Sequence, residues 1–559
     1  MANRKPYLHY LCLAGAIALG AVLRFWHLGL KPLWMDEVIT AIFSLGKNYH
    51  DLPLDVLFPL PRVQEIFTFQ AGVSCHQIAE NLANQSTHPP LFFCGMYSWL
   101  GWMTPLGSEW VAKLRSLSAV FGVGAIVAIY GVNRIAFYSA SGIIAAFIMA
   151  ISPFAVYLSQ EARHYTMPMF LITLALLGLI KIQQDIFENK RIRLWVVILW
   201  SIVNIIGLYI HYFFILVFIA EVMTLLILIY LSKSQIHRKH QFYLNLILSI
   251  TGVVISFLPW LRVMLNHFQS AETNWLPATM HIAPLYQTVI SWILMVIALP
   301  VENQPLLITI GSGFLMIIFA LWLGWQVYQG LKLLWLDHKT QLATLTLLSF
   351  TIVVLIQFFA IAYLLGKDIT IIPRYSFVYY PSFCALLAAS ISKMHQQKFI
   401  ILFVGILSCV FVVSNLSFQK PFQPEQVAQN MNLDPSVPIM LVVGYNNYQD
   451  VALGLSFALA LEKVRSNTNT TVKASFNNFD SVAFFPRYQN SPAFWNQLDE
   501  MPKLATSQIN LWLVGPGMKK RDYPQEVGLF GDSICTIDTT QHHRIGVPYQ
   551  LYRCNKMKL

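Results

Sequence analysis

Residues 11–37 read LCLAGAIALGAVLRFWHLGLKPLWMDE. An apolar run over 11–29, close to the roughly 20 residues that cross a bilayer, gives way to aromatic residues and then to two adjacent acids, Asp36 and Glu37. A run of this kind also fits a secretory leader, but no small-residue cleavage site follows Leu23, Arg24, Phe25 and Trp26, so it reads as a retained first span. Comparable runs recur, among them 194–209 and 342–364, and about eleven spans are expected within residues 1–416. Of the 559 residues 56% are hydrophobic and 11% charged, far below the roughly 25% charged residues of soluble domains.

Placing the amino terminus inside puts most loop lysines and arginines on the inner side, including Arg4, Lys5, Arg134, Lys181, Lys190, Arg191, Lys233, Arg238, Lys393 and Lys398. The short outer loops then hold only Arg163, Arg262, Lys367 and Arg374. The formal charge of +11 is therefore spread among loops and not gathered on one face, which argues against nucleic acid as a partner. A long outer loop is expected over 30–113, with 88–103 lying along the membrane surface as an interfacial helix. A second substantial outer loop is expected over 261–305.

Beyond residue 416 the chain turns polar and proline-punctuated, and residues 417–559 read as a soluble extracytoplasmic domain. Apolar strands are expected at 437–443 and 510–514 with a helix over 451–464 between them, a small α/β unit. No internal repeat of the kind found in many transporters is visible. Cys12, Cys384 and Cys409 fall in spans as packing residues, while Cys75 with Cys94 and Cys535 with Cys554 can form disulfides if they face an oxidising compartment.

Four polar clusters fall on the expected outer side: Asp36 with Glu37, Thr87–His88–Pro89–Pro90, Gln160 to Tyr165 with Glu161 and Arg163, and Pro373–Arg374–Tyr375. Each has a plain structural reading as well. Acids at a span end are a solvated loop start, His88 begins a rigid turn, Glu161 and Arg163 anchor an interface, and Arg374 holds a lipid headgroup. Their convergence on one membrane face is what favours chemistry. His211, between Tyr209 and Tyr212, either lines the same cavity or is a hydrogen-bonded structural histidine. No compact His/Asp/Glu or Cys/His spacing demands a metal, and dependence on a divalent ion stays open.

The strings LRFWHLGLKPLWMDE, THPPLFF, AISPFAVYLSQEARHY, GLYIHYFF and PRYSFVYYP resemble landmarks of the GT-C membrane glycosyltransferases. The resemblance is to the family 39-like branch with the protein O-mannosyltransferases and lipid A aminoarabinose transferases, and it covers roughly the first 390 residues. It implies an all-α polytopic GT-C fold carrying the small soluble domain, in a bacterial plasma membrane. It also implies an inverting transfer of a hexose or pentose from a polyprenyl-phosphate donor to an extracytoplasmic protein, glycolipid or polysaccharide. Asp36 is then the base, Glu37 its companion and Glu161 the second acid. His88, Arg163, Tyr165, His211, Arg374 and Tyr375 are the substrate-binding residues, His88 standing where relatives carry a lysine that meets the donor phosphate. The rival expectation is a polytopic transporter or flippase for a lipid-linked sugar, for which Glu221 inside a span is the main sequence feature.

Overall fold

The computed structural model describes residues 4–189, 193–231, 239–269, 279–393, 397–468, 480–487, 492–502 and 508–556. Lys190, Arg191, Lys233 and Arg238 of the expected inner loops lie outside them. In chain order the helices are α1 (Arg4–Phe25), α2 (Met35–Ser44), α3 (Cys75–Gln85), α4 (Leu91–Trp102), α5 (Trp110–Ala136), α6 (Ser139–Ile151) and α7 (Pro153–Ser159). They continue with α8 (Thr166–Gln184), α9 (Leu194–Leu208), α10 (Phe214–Leu231), α11 (Lys239–Gln269), α12 (Ala283–Val296), α13 (Leu306–Leu336) and α14 (His338–Leu365). Last come α15 (Tyr380–Ser392), α16 (Lys398–Val413), α17 (Pro424–Met431), α18 (Tyr448–Thr468) and α19 (Pro492–Asp499).

Among the described residues seven helices are long and apolar enough to cross a bilayer, and the bent pair α6–α7 makes an eighth if counted as one span. The other three expected spans are also helical. They are shorter, with 15 residues in α9, 13 in α15 and 16 in α16, below the roughly 20 needed for a straight crossing. Helix length alone therefore assigns seven or eight spans where about eleven were expected from the apolar runs. The protein is an integral membrane protein, and exposed Leu307, Phe314 and Leu321 on α13 are tolerable only against lipid or another apolar surface. Two boundaries differ from the sequence reading. α11 runs through Pro259 to Gln269, shortening the expected 261–305 loop, and α12 occupies the apolar stretch within it.

Contacts divide the chain into two compact units, one of Met1–Leu28, Leu82–Met96 and Ala112–Phe418, the other of Gly29–Asn81, Tyr97–Val111 and Gln419–Leu559. In the first, the expected third span bends by 58° between α6 and α7. Ser152 and Pro153 explain the break: the proline has no N–H to donate, and the residue before it is pushed to extended backbone, here φ −68° and ψ 120°. Ser152 caps the new helix by accepting from Ala155 N, and its hydroxyl donates to Met295 O. The carbonyls released at the end of α6 are met by Arg24 of α1, whose guanidinium donates to Met149 O at 2.8 Å and Ala150 O at 3.0 Å. Gly122 of α5 leaves room for this, since a Cβ there would strike Ser159 and Arg24. Arg24→Met is expected to destabilise the protein by about 1–3 kcal/mol for each carbonyl left without a donor, read as a lowered melting temperature in detergent. An unchanged melting temperature would contradict this role.

The second unit is built on a seven-stranded sheet in the order β1-β3-β2-β4-β7-β6-β5. The strands are β1 (Phe58–Pro59), β2 (Ile439–Tyr445), β3 (Ser481–Pro486), β4 (Gln508–Val514), β5 (Glu526–Leu529), β6 (Ser533–Ile545) and β7 (Val547–Lys556). The central β3, β2 and β4 are parallel, and β2, between the other two, is buried and apolar from Ile439 to Val443, as a strand covered on both faces must be. The remaining pairings are antiparallel. The expected runs 437–443, 451–464 and 510–514 fall on β2, α18 and β4. Cys535 and Cys554, opposite each other on β6 and β7, form a disulfide, while Cys12, Cys384 and Cys409 are free. A bidentate Arg465–Asp480 pair ties α18 to the segment entering β3, and Asp480 also accepts from Ile439 N at the start of β2.

Most of the first outer loop, residues 30–81 and 97–111, is part of this same unit. β1 pairs with β3, Tyr49 stacks on Tyr448 with ring centres 4.3 Å apart, and Ser456 of α18 donates to Leu33 O at 2.7 Å.

Candidate active site

In the first unit, four loop segments at one end of the helices meet. They are residues 86–90 before α4, 160–165 between α7 and α8, 209–213 between α9 and α10, and 366–379 between α14 and α15. The 160–165 loop is pinned from two sides and by a bond within itself. Gln160 Nε2 donates to Trp26 O at 2.9 Å and Leu23 O at 3.2 Å, Ser118 Oγ donates to Arg163 O at 2.8 Å, and Arg163 N donates to Glu161 O at 2.8 Å. Thr166 Oγ1 closes the set by donating to Ser118 O. Glu161, Arg163, His164 and Tyr165 are consequently buried, although each sits in a loop of only six residues by sequence.

Tyr165 is the centre of the group. The guanidinium carbons of Arg163 and Arg374 lie 5.6 Å and 5.9 Å from its ring centre, within cation–π range. Arg374 also donates to the Tyr157 hydroxyl, and Tyr157 feels the charge of both Glu161 and Arg374. Phe377 and Tyr375 flank Tyr165 with ring centres at 5.8 Å and 6.4 Å. Arg374 and Tyr375 are only half-buried, whereas Arg163 and Tyr165 are buried. Seven of the expected site residues, His88, Glu161, Arg163, Tyr165, His211, Arg374 and Tyr375, thus belong to one unit.

Three imidazoles cluster beside this cation pair. His164 lies 4.9 Å from His88 and 4.6 Å from His211, centre to centre. Burial pushes all three well below the usual histidine range, reinforced by the Arg163 charge, with His211 down to about 3. The hydrogen bonds assign the tautomers of His88 and His211. Arg163 Nη2 sits 3.3 Å from His88 Nε2, so that nitrogen accepts and Nδ1–H donates to Ser86 Oγ at 2.9 Å. Phe213 N donates to His211 Nδ1 at 3.0 Å, leaving the proton on Nε2. Behind them Trp260 donates to the Tyr212 hydroxyl, which donates to His267 Nδ1, whose Nε2–H donates to Ala83 O.

The folded protein keeps these histidines neutral, whereas the unfolded chain takes up protons near pH 6.5. Their stabilisation is therefore complete above about pH 6.5 and is lost as pH falls toward the folded values, about 3 for His211. At pH 5 one such histidine costs about 2 kcal/mol relative to neutral pH. The melting temperature is expected to drop between pH 7.5 and 5.0, and His211→Gln to shrink that drop. An equal drop in the variant would contradict it.

Asp36 and Glu37 stand in the second unit, in the first turn of α2, where the helix dipole favours negative charge. Glu37 is wholly buried, with its carboxylate 3.5 Å from the ammonium of Lys420. Asp36 keeps 9% of its surface exposed, and its carbonyl accepts from Thr40 Oγ1. Sequence reasoning did not find Lys420, which follows the last membrane helix and lies in no motif. It also passed over Tyr157, although Tyr157 and Glu161 are four positions apart across the end of α7, the spacing that places helical residues on one side. Among the described residues, no three His, Cys, Asp or Glu side chains are grouped to hold a metal ion.

No protein-family model matches the sequence, and no curated protein matches it. Solved structures do. ArnT from Cupriavidus metallidurans in the apo state superposes with a TM-score of 0.51 at 10% identity, covering 92% of this chain and 94% of that one. The same protein bound to undecaprenyl phosphate superposes with a TM-score of 0.50 at 9% identity, over 92% and 94% of the two chains. The chain has the GT-C fold. Within this GT-C fold the likeness runs through nearly the whole length, including the part beyond residue 416 where the sequence carries no recognisable landmark.

Proposed function

We propose that this protein transfers a sugar from a polyprenyl-phosphate donor to a hydroxyl acceptor on the extracytoplasmic side, with inversion. The observation that carries the reading is the pair of guanidiniums, Arg163 and Arg374, set against the ring of Tyr165 and backed by neutral histidines. Such a preorganised cationic cradle suits the charge that builds on a departing phosphate. The likeness to ArnT, solved with undecaprenyl phosphate bound, supports a donor of that class. His88, neutral and accepting from Arg163, serves by orienting that arginine and not by carrying charge itself.

In the transfer the acceptor oxygen bonds to the anomeric carbon as the carbon–oxygen bond to phosphate breaks. The hydroxyl proton passes to the Asp36 carboxylate, and polyprenyl phosphate leaves with the electron pair. Proton removal by a positioned carboxylate contributes roughly 10²- to 10⁴-fold. Glu161 is the second acid, and Tyr165, Tyr375 and His211 line the donor's path. The Cys535–Cys554 disulfide suits a carboxyl-terminal domain on the oxidising side of a bacterial plasma membrane, with the amino terminus in the cytoplasm. Purified protein given radiolabelled polyprenyl-phosphate sugars and a panel of protein, glycolipid and polysaccharide acceptors tests the reading. Label reaching an acceptor supports it. Label that stays on the carrier but crosses the bilayer of proteoliposomes would replace transfer with transport.

A further inference from the structure

We infer that Lys420 is a positioning residue for the acidic pair. Through Glu37 it holds the first turn of α2 so that Asp36 keeps the orientation in which it takes a proton. The inference deepens the sugar-transfer reading and rests on it. Asp36 and Glu37 are neighbours in sequence but differ in setting. Successive helical residues point about 100° apart, and here Asp36 retains some exposure while Glu37 has none. Glu37 is therefore turned into the protein, where it meets a charge supplied by the carboxyl-terminal segment.

The Lys420 and Glu37 side chains are 2% and 0% exposed. The ammonium also lies 5.8 Å from the centre of the Trp34 ring, and Trp34 is the residue that begins α2, its carbonyl accepting from Glu37 N at 2.9 Å and Val38 N at 3.0 Å. One step earlier, Leu33 O accepts from Ser456 of α18. The start of α2 is thus held by groups drawn from residues beyond 418, and a buried ion pair of this kind specifies geometry more than it adds stability. Removing one member takes from the other an opposite charge held 3.5 Å away in a buried setting, which lets the turn reorganise. A shift of about 1 Å in a general base suffices to cost roughly 10²-fold in rate.

The test uses the full-length protein and four variants: Lys420→Met, Lys420→Arg, Glu37→Gln and the double Glu37→Gln/Lys420→Met. Lys420→Met is expected to lower kcat about 10²-fold with the donor KM within about twofold and with the same number of polyprenyl-phosphate binding sites per protein, which excludes mere loss of folded enzyme. Lys420→Arg restores most of the rate, and the double variant is no slower than the worse single variant and melts higher than the two single losses would add up to. Wild-type kcat in Lys420→Met, or additive melting shifts in an active enzyme, overturns the role of Lys420 alone. A wild-type protein that shows the coupling but transfers no sugar overturns the transfer reading, and the positioning role with it.

Discussion

Replacing Asp36 by asparagine is expected to abolish sugar transfer, a loss of at least about 10²-fold in kcat, while the protein still inserts, folds and binds polyprenyl phosphate. Asparagine keeps the shape and the acceptor oxygen of aspartate but takes up no proton. The backbone setting also survives, because the Asp36 carbonyl that accepts from Thr40 Oγ1 is kept in asparagine. The fold loses the favourable interaction of one acid with the start of α2, about 0.3–1 kcal/mol. Initial rates with labelled donor, beside a thermal melt, separate the two effects. A variant that turns over at the wild-type rate would remove Asp36 from the mechanism and leave Glu161 as the remaining acid to test.

Arg374→Ala is expected to lower kcat/KM for the donor by about 10²- to 10³-fold, with the acceptor KM little changed. Arg163 faces the same ring, but it is buried and bonded to His88, so its removal would confound binding with folding. Arg374 is only half-buried, which makes it the cleaner probe. Arg374→Lys should recover only part of the loss, because an ammonium keeps the charge but not the planar guanidinium's donor geometry toward Tyr157. A variant that weakens acceptor use while sparing the donor would assign Arg374 to the other substrate.

Much of the protein was legible from local signals. Each of the eleven apolar runs lies on a helix, because a stretch that must satisfy its backbone polar groups away from water has little alternative to helix. The strands at 437–443 and 510–514 declared themselves by short apolar runs with polar flanks. The bend after Ile151 was written in Ser152 and Pro153, yet the run reads as one span because hydropathy averages over the break. Only the packed structure shows Arg24 meeting the carbonyls that the break releases.

The membrane class, the helices, the α/β character of the segment beyond residue 416 and the loops that carry acids, arginines and histidines were all legible in the amino-acid sequence. Each of these follows from composition and periodicity within a few tens of residues. The tertiary structure decided the pairing of Glu37 with Lys420, the assembly of Arg163 and Arg374 around Tyr165, and the neutrality of His88, His164 and His211. Those depend on which groups share a buried volume. Charge state and partner choice are set by the loss of water and the nearness of other charges, and neither is a property of any stretch of chain alone.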